Sequence, residues 1–460
     1  MDLQSRAPEY GIGRLYPEAA AGHGRLVSTS ACCGKRGHYR ITELVAIEAV
    51  RDRSNYNIQS LRTMENFSIP QAYHDREQAL VKHLLLKSYL EKLMLIMGAG
   101  TQKRMGVELC YVDCFAGPWK DDSEAMESTS IAISLRTLES CRQQLEKLGH
   151  HVKMRALYIE QNARAFARLE RYLNENTPGA IESSCLKGDF VQLRTEILRW
   201  VGTGSFCFFF VDPKGWTEVG ISTLQPLLRR PKSEFLINLM YDFVNRTMSM
   251  VDRKADMTEL LGEALDLTGL SPREREQKII QTYRRNLKSH FPSSNPRFPP
   301  RAAHVQVMDP EKNRPKYHLV YLTSHPRGVI EFKAISEPVE KVQHMVRAEK
   351  KASRKQQQTG MGDLFGSEGF FDSDAGHAGA DDVDHFWRTY LKDGPRVIDM
   401  HAFADILEET DWFESDLQAS LVRLISTGKV MNLSVDAKRR KKRPLHYEKQ
   451  GEKLQWTGLE

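Results

Sequence analysis

The segment LCYVDCFAGP, residues 109–118, indicates the fold more directly than any other part of the sequence. An apolar run ends at Asp113, and the small residues Ala116 and Gly117 follow within four positions. The run predicts a buried strand, and the glycine predicts a turn where a ligand can lie against the backbone, because glycine has no Cβ. In open parallel sheets, ligands bind beyond the carboxyl ends of the strands, which is where this turn would lie.

Similar apolar runs alternate with amphipathic runs along the middle of the chain. The predicted strands lie at residues 109–114, 154–160, 205–212 and 234–240, with a more polar strand region at 185–190. The predicted helices lie at residues 76–97, 130–148, 162–176, 191–201, 221–230 and 271–291. Two late strands, 304–309 and 317–324, and a helix at 326–345 complete the series. We therefore predict an α/β, Rossmann-like domain over residues 64–346, with helices on both faces of a mainly parallel sheet.

Composition narrows the class of protein. Of the 460 residues, 40% are hydrophobic and 27% are charged, as in a soluble protein with a large core. No run of about 18 apolar residues suggests a membrane span, and no signal peptide is evident, so we expect a cytoplasmic protein. The seven cysteines are odd in number and lack zinc-ligand spacing, which favours reduced, buried thiols over disulfides or a metal site.

The two regions that flank this middle part differ from it. Residues 1–63 show no persistent period and are predicted to be a poorly ordered N-terminal extension, with Met64 as an alternative start of the native protein. Residues 347–382 are first basic and glutamine-rich, then acidic and glycine-rich. Neither block can bury enough apolar surface to fold alone, so we predict a flexible linker.

Residues 383–460 regain regular patterns. Three short helices are predicted at 385–392, 398–410 and 414–428, and two strands at 429–435 and 445–457. Between the strands lie six consecutive cations: Lys438, Arg439, Arg440, Lys441, Lys442 and Arg443. This arrangement predicts a winged helix-turn-helix, in which the third helix enters the major groove and the basic wing contacts phosphates of DNA or RNA. A hydrated basic loop, or a small domain used for protein contacts, is the alternative interpretation.

Two capping boxes set the starts of predicted helices. Ser271 and Glu274, with Pro272 at the first helical position, predict the start of the helix at 271–291. Ser415 and Gln418 predict the start of the third helix in the C-terminal region.

Acidic residues stand at the ends of four successive strand regions. They are Asp113, Glu160, Asp189 and Asp212. Buried strand ends do not favour carboxylates unless something pairs with them. Glu160 is placed to accept hydrogen bonds from the two hydroxyl groups of a ribose, and Asp189 to meet the amino group of an adenine. The four acids together predict a nucleoside-binding edge of the sheet.

These residues resemble those of class I S-adenosylmethionine-dependent methyltransferases. The resemblance implies that the turn of Asp113, Phe115, Ala116 and Gly117 holds the methionine part of S-adenosylmethionine. It also implies that Glu160 holds the ribose, that Asp189 holds the adenine, and that the Asp212–Pro213 motif faces the substrate. A reversed seventh strand closes the sheet in that family.

A closer resemblance is to the three-Cys-motif partner family, TcmP. It rests on LVKHLLLKSYLEKL, YVDCFAGP, FVDPKGW and EFLINLMYDFVNR and covers about residues 64–458. The resemblance implies a partner protein that carries three cysteines in a radical-SAM-like motif. It does not settle the reaction.

The fourth motif departs from that of amino-methylating nucleic-acid enzymes, which have an acid or Asn, two prolines and an aromatic residue. Here Lys214 replaces the second proline, and Trp216 stands one place beyond the aromatic position. We predict Asp212, Pro213, Lys214 and Trp216 as catalytic residues, with Asp212 accepting a hydrogen bond and Trp216 stacking on a base. The first motif also lacks the second glycine of a G-x-G turn.

Two functions follow from the sequence. One is methyl transfer from S-adenosylmethionine to a nucleic acid or to a substrate delivered by the partner. The other is a catalytically inactive or redirected module that binds DNA through its winged helix. Lys82 and His83, on the helix before the sheet, and Ser128, Thr129 and Ser130 are secondary candidates for the same site.

Overall fold

A seven-stranded sheet forms the centre of the larger part of the molecule. The computed structural model describes residues 69–100, 106–117, 126–248, 250–293, 295–359, 377–437 and 440–458, so the predicted extension over 1–63 lies outside the described residues. The strands are β1 Val107–Asp113, β2 Val152–Glu160, β3 Ile181–Lys187, β4 Phe206–Val211, β5 Ser233–Leu239, β6 Arg301–Met308 and β7 Pro315–Thr323.

The strand order is β3-β2-β1-β4-β5-β7-β6. The first five strands are parallel to one another, and β7 runs antiparallel to both β5 and β6. The predicted α/β class with a large, mostly parallel sheet is therefore confirmed. β3 lies at an edge of the sheet, which explains why its sequence, IESSCLK, is more polar than that of the central strands.

Helices cover both faces of this sheet. They are α1 Glu77–Ala99, α2 Ser130–Lys147, α3 Ala163–Asn176, α4 Phe190–Val201, α5 Ile221–Leu228, α6 Tyr241–Thr247, α7 Lys254–Leu261, α8 Pro272–His290 and α9 Pro326–Thr359. Successive side chains of a strand point to opposite faces, so β4 supplies both cores. Phe208 and Phe210 pack in the core beneath α1, α2 and α9, and Phe209 packs in the core beneath α4, α5 and α8.

The local start of α8 is the one that the sequence predicts. Glu274 N donates to Ser271 Oγ over 3.4 Å, and Ser271 N donates to Glu274 Oε2 over 2.8 Å. Pro272 occupies the first turn, where its missing N–H costs nothing. The capping box is therefore confirmed.

Helix α9 differs from the prediction at its end. It continues to Thr359, through the first part of the predicted linker 347–382. Residues 347–359 are rich in Ala, Lys, Arg and Gln, which have high helix propensity, and no glycine or proline interrupts them. The linker residues 360–376 lie outside the described part of the chain.

The C-terminal residues form a smaller unit of three helices and a three-stranded antiparallel sheet. Its elements are α10 Ala380–Leu391, β8 Arg396–Ile398, α11 Met400–Thr410, α12 Glu414–Ser426, β9 Val430–Asn432 and β10 Glu452–Trp456, with strand order β8-β10-β9. The strand β8 was not predicted. The predicted strand over 445–457 is shorter, since only Glu452–Trp456 pairs with its neighbours.

The predicted capping box of Ser415 and Gln418 is wrong. Helix α12 begins at Glu414, and Asp416 Oδ2 accepts from Phe413 N over 3.0 Å. Gln418 is instead bound to Leu445, whose carbonyl oxygen accepts from Nε2 over 2.9 Å and whose N–H donates to Oε1 over 3.2 Å. The Gln418 side chain thus bonds to a residue 27 positions away along the chain and not to the start of its own helix.

Buried charges join the small unit to the sheet. Asp411, at the end of α11, accepts from Arg284 Nη1 at 2.9 and 2.8 Å, and its carbonyl oxygen accepts from Lys333 Nζ over 2.6 Å. Burial alone would raise the pKa of Asp411, but His304, Arg284 and Lys333 hold it below its usual range. At the same interface, Asp405 pairs with Arg301 over 2.7 Å but is 61% exposed.

The five cysteines in the described part of the chain are free thiols, and four of them are buried. Cys32 and Cys33 lie outside the described residues. Among the described helices, none is long and apolar enough to cross a membrane.

Candidate functional site

A cavity of about 490 Å³ lies at the carboxyl ends of β1 and β4. These strands are neighbours, but the chain leads from β1 outward to β2 and β3, and from β4 outward to β5 on the other side. Open α/β sheets bind ligands at such a reversal of strand order, because the loops diverge and leave a crevice. We call this space the central cavity. Phe115, Gly117, Asp212, Pro213 and Lys214 all line it, as the sequence predicts for one site.

Asp212 is the acid at the floor of the central cavity, and both of its oxygens have partners. Oδ2 pairs with the Lys82 ammonium group, and Oδ1 accepts from Asn238 Nδ2 over 2.7 Å. The side chains of Lys82 and Asp212 are 15% and 16% exposed, so the pair is mostly buried but reachable from the cavity. Asp212, which the sequence predicts to be a hydrogen-bond acceptor in the site, is thus held in place by two neighbouring side chains.

Asp113 is fully buried and does not line the central cavity. Its Oδ1 accepts from Phe115 N over 3.2 Å, and its Oδ2 accepts from the Tyr111 hydroxyl over 3.4 Å. Burial raises the pKa of Asp113 to about 6, although hydrogen bonds from Ser130 and Phe115 act in the opposite direction. Asp113 therefore organises the turn from below.

The N–H groups of the turn after β1 are bonded within the protein. Cys114 N donates to Phe210 O over 2.9 Å, Ala116 N to Ile159 O over 2.8 Å, and Gly117 N to Phe115 O over 2.9 Å. These bonds fix the turn against β4 and β2. The buried Ala116 is thus a structural part of the predicted cofactor turn, whereas Phe115 and Gly117 reach the central cavity.

Glu160 ends β2 and is also nearly buried, with 7% of its surface exposed. Its Oε1 accepts from Asn162 N over 2.6 Å, which fixes the entry to α3. A carboxylate has two oxygens with several lone pairs, so this contact leaves acceptor capacity for a ribose hydroxyl.

Two predicted residues lie around a second cavity, of about 280 Å³. Asp189 and Trp216 line it together with Glu218, Asp256 and other residues of the opposite helical layer. Asp189 Oδ1 also caps α4 by accepting from Gln192 N over 3.2 Å. Trp216 is therefore separated from Asp212, with which the sequence predicted a shared site, because the chain leaves the central cavity after Lys214.

Further residues complete the central cavity. Lys82, His83, Ser128, Thr129 and Ser130 are the secondary candidates from the sequence, whereas the sequence assigned no site role to Arg76 (before α1), Asn238 (β5), Lys316 and Tyr317 (β7). The available signal for Asn238 was a polar residue that interrupts the apolar run FLINLM, residues 235–240. Lys82 and His83 were secondary candidates on the same grounds.

The charge of the central cavity is positive. Arg76, Lys82, Lys214 and Lys316 line it, against the carboxylates of Asp75 and Asp212. His83 adds no charge, because burial and then the neighbouring Lys82 and Arg76 lower its pKa well below the usual value. A cavity with an excess of cations favours an anionic ligand.

The basic segment of the small unit is only partly free to contact phosphates. Arg440 pairs with Glu452 at 2.7 Å, and Arg443 pairs with Glu448 at 2.9 Å. Lys441 and Lys442 are exposed, and Lys438 and Arg439 lie outside the described residues. The single cation of α12, Arg423, pairs with Asp384 at 2.7 Å, so the helix predicted to enter the major groove presents little positive charge.

No family model matches this chain, and no curated protein matches it. Several solved structures are similar to it, and two of them are as follows. A Legionella pneumophila protein described by the family model DUF519 is 10% identical, with a TM-score of 0.31, over 57% of this chain and 89% of its own. A Klebsiella pneumoniae protein provisionally assigned as an O-methyltransferase is 12% identical, with a TM-score of 0.28, over 63% of this chain and 95% of its own. TM-scores this low say nothing about the activity of this chain. No match to the three-Cys-motif partner family was found.

Proposed function

We propose that this chain binds S-adenosylmethionine at the carboxyl edge of its sheet and transfers the methyl group to an acceptor in the central cavity. The observation that carries the proposal is the position of that cavity, at the reversal of strand order between β1 and β4, with Asp212 on its floor. The reversed β7 between β5 and β6 supports a methyltransferase-type sheet. The cavity volume of about 490 Å³ lies in the ordinary range for small-molecule sites.

The residues at the edge suit the cofactor in part. Phe115 and Gly117 offer a surface at the cavity. Glu160 ends the neighbouring strand β2 and does not line the central cavity, but it retains acceptor capacity for a ribose. The bound cofactor would supply an activated methyl group. This chain supplies alignment, which accounts for much of the rate in such reactions, and a carboxylate, Asp212, that orients the acceptor.

Isothermal titration calorimetry with S-adenosylmethionine tests the proposal. The wild-type protein should bind, and Asp113→Ala and Glu160→Ala should each weaken binding by about tenfold or more, equivalent to about 1.4 kcal/mol. Glu170→Ala, an exposed acid on α3, is the matched control and should bind like the wild type. Absence of heat from the wild type, or equal affinities for all four proteins, would refute cofactor binding at this edge.

Asp212→Asn separates binding from transfer. In the proposed function the Asp212 carboxylate orients the methyl acceptor and does not bind the cofactor. The variant should therefore keep its affinity for S-adenosylmethionine while losing transfer of a labelled methyl group. If the wild type binds S-adenosylmethionine but transfers no methyl group, the result would favour the alternative function, a catalytically inactive module.

A second function, nucleic-acid binding by the small unit, is favoured by the exposed Lys441 and Lys442. The element order of helix, strand, two helices and two strands supports a winged helix. We propose that these two lysines, rather than all six cations, supply the phosphate contacts. Association with a three-Cys-motif, radical-SAM-like partner protein stays part of the proposal, and co-purification with such a protein is its test.

A further inference from the structure

The side chain of Asn238 presents an unusual feature at the wall of the central cavity. Asn238 is 3% exposed and lines the cavity, yet its Oδ1 has no hydrogen-bond partner among the described residues. A buried carbonyl oxygen left without a donor is unfavourable. Among the described residues with such an atom, Asn238 is the one that lines the central cavity, where a ligand can supply the donor.

The orientation of the amide is fixed by its neighbour. Nδ2 donates to Asp212 Oδ1 over 2.7 Å. Rotating the amide by half a turn would bring its oxygen against the carboxylate oxygen, two acceptors with no proton between them. The NH₂ group therefore faces Asp212, and Oδ1 is the atom left for another donor.

Asp212 and Asn238 together form a pair of acceptors. Lys82 and Asn238 hold the Asp212 carboxylate in place, and a carboxylate oxygen can accept more than one hydrogen bond. A ligand with two N–H bonds on one atom satisfies both acceptors, whereas a carbonyl or ether oxygen at that point would face them with lone pairs.

We propose that Asn238 is a specificity-determining residue that selects an acceptor bearing an exocyclic amino group, as on the nucleobase of an anionic nucleotide. The inference rests on the proposed function and names its substrate class. The excess of cations around the cavity, which includes Arg76, Lys214 and Lys316, suits the phosphate of such a substrate.

Transfer to this group is methylation on nitrogen. The nitrogen lone pair forms the new N–C bond as the C–S bond of the sulfonium breaks and its electron pair returns to sulfur. The nitrogen then releases one proton to solvent. Asn238 contacts the amino group and does not take the proton, since a neutral amide is a very weak base.

Nucleotides that carry either an amino group or an oxygen at the same ring position provide the probes. They are adenosine and inosine 5′-monophosphates, and cytidine and uridine 5′-monophosphates; in each pair the ring nitrogen beside that position is an acceptor in the amino nucleotide and an N–H donor in the oxo nucleotide. Affinities are measured by calorimetry with the protein saturated with S-adenosylhomocysteine, and again without it. At least one amino-bearing member should bind about tenfold more tightly than its oxo partner, a difference of about 1.4 kcal/mol.

Asn238→Leu should abolish that preference, and Asn238→Ser, which keeps a small donor for Asp212, takes its place if the leucine variant does not fold. Asn245→Leu is the matched control, because Asn245 Oδ1 is also buried without a partner but the residue does not line the central cavity. The control should keep the wild-type preference.

The outcomes separate the two proposals. Three results would overturn this inference alone if the protein binds the cofactor: equal affinities within both nucleotide pairs, no nucleotide binding, or a preference that survives Asn238→Leu. A preference that depends on Asn238 in a protein that does not bind the cofactor supports the acceptor pair and refutes the proposed transfer.

Discussion

Replacing Asp113 with Asn should change how the stability of this protein depends on pH. The carboxyl group is fully buried at the end of β1, and burial raises its pKa from 3.8 to about 6. The difference of about two pKa units corresponds to about 3 kcal/mol. Asn has nearly the same shape and can use the same hydrogen-bond partners, but it does not titrate.

The direction follows from the two protonation states. Well below pH 3.8 the carboxyl group is protonated in both the folded and the unfolded chain, so it has no pH-dependent effect. As the pH rises toward about 6, the unfolded chain loses its proton more readily than the folded one, and the free energy of unfolding falls. Above that pH the penalty is complete. The Asp113→Asn variant should therefore gain about 3 kcal/mol relative to the wild type between acidic and neutral pH.

Urea unfolding of both proteins at several pH values from 4 to 7.5 measures this gain. Asp393→Asn, an exposed acid in the small unit, is the control and should follow the wild-type pH dependence. A gap between Asp113→Asn and the wild type that stays constant with pH, or that shrinks as the pH rises, would refute the reasoning. It would mean that the hydrogen bonds from Ser130 and Phe115 outweigh burial and keep Asp113 ionised in the fold.

Three further predictions concern the small unit. Asp411→Asn should destabilise the protein by about 3 kcal/mol in urea unfolding, because it removes the carboxylate that pairs with the buried Arg284 guanidinium. Asp393→Asn, whose pair with Arg396 is exposed on both sides, should cost less than about 1 kcal/mol. Alanine at both Lys441 and Lys442 should reduce the slope of log affinity for duplex DNA against log salt by about 2, and an unchanged slope would exclude phosphate contact there. Gly451→Ala should lower the melting temperature measured by circular dichroism, because the glycine has φ +69° and an added Cβ would meet the Ile398 carbonyl group; an unchanged melting temperature would contradict this.

The success of the sequence predictions depended on the range of the interactions involved. The run FCFFFV of β4 is apolar at every position, so it predicted a strand buried on both faces wherever it lay in the sheet. The Ser271 capping box was also predictable, since all of its partners lie within one helical turn. The Ser415 box failed because Gln418 bonds to Leu445, a residue that a local pattern does not include.

The candidate site shows the same division. The position of Asp212, Pro213 and Lys214 at a cavity was predictable, because an acid at the carboxyl end of an apolar strand lies at the edge of the sheet where ligands bind. Trp216 was expected beside them, but it lines the second cavity, since the direction of the chain after Lys214 depends on the packing of the opposite helical layer.

The sequence by itself determined the elements, the α/β class and the acids at the strand ends, because hydrophobic period, helix propensity and capping act over a few residues. Only the tertiary structure decided which of those acids reach a cavity. It buried Asp113, left Asp212 on a cavity floor, and brought Lys82 and Asn238 to it from separate elements. These contacts join residues far apart in the chain, and their energies depend on burial and on partners that exist only once the sheet and its helices have packed.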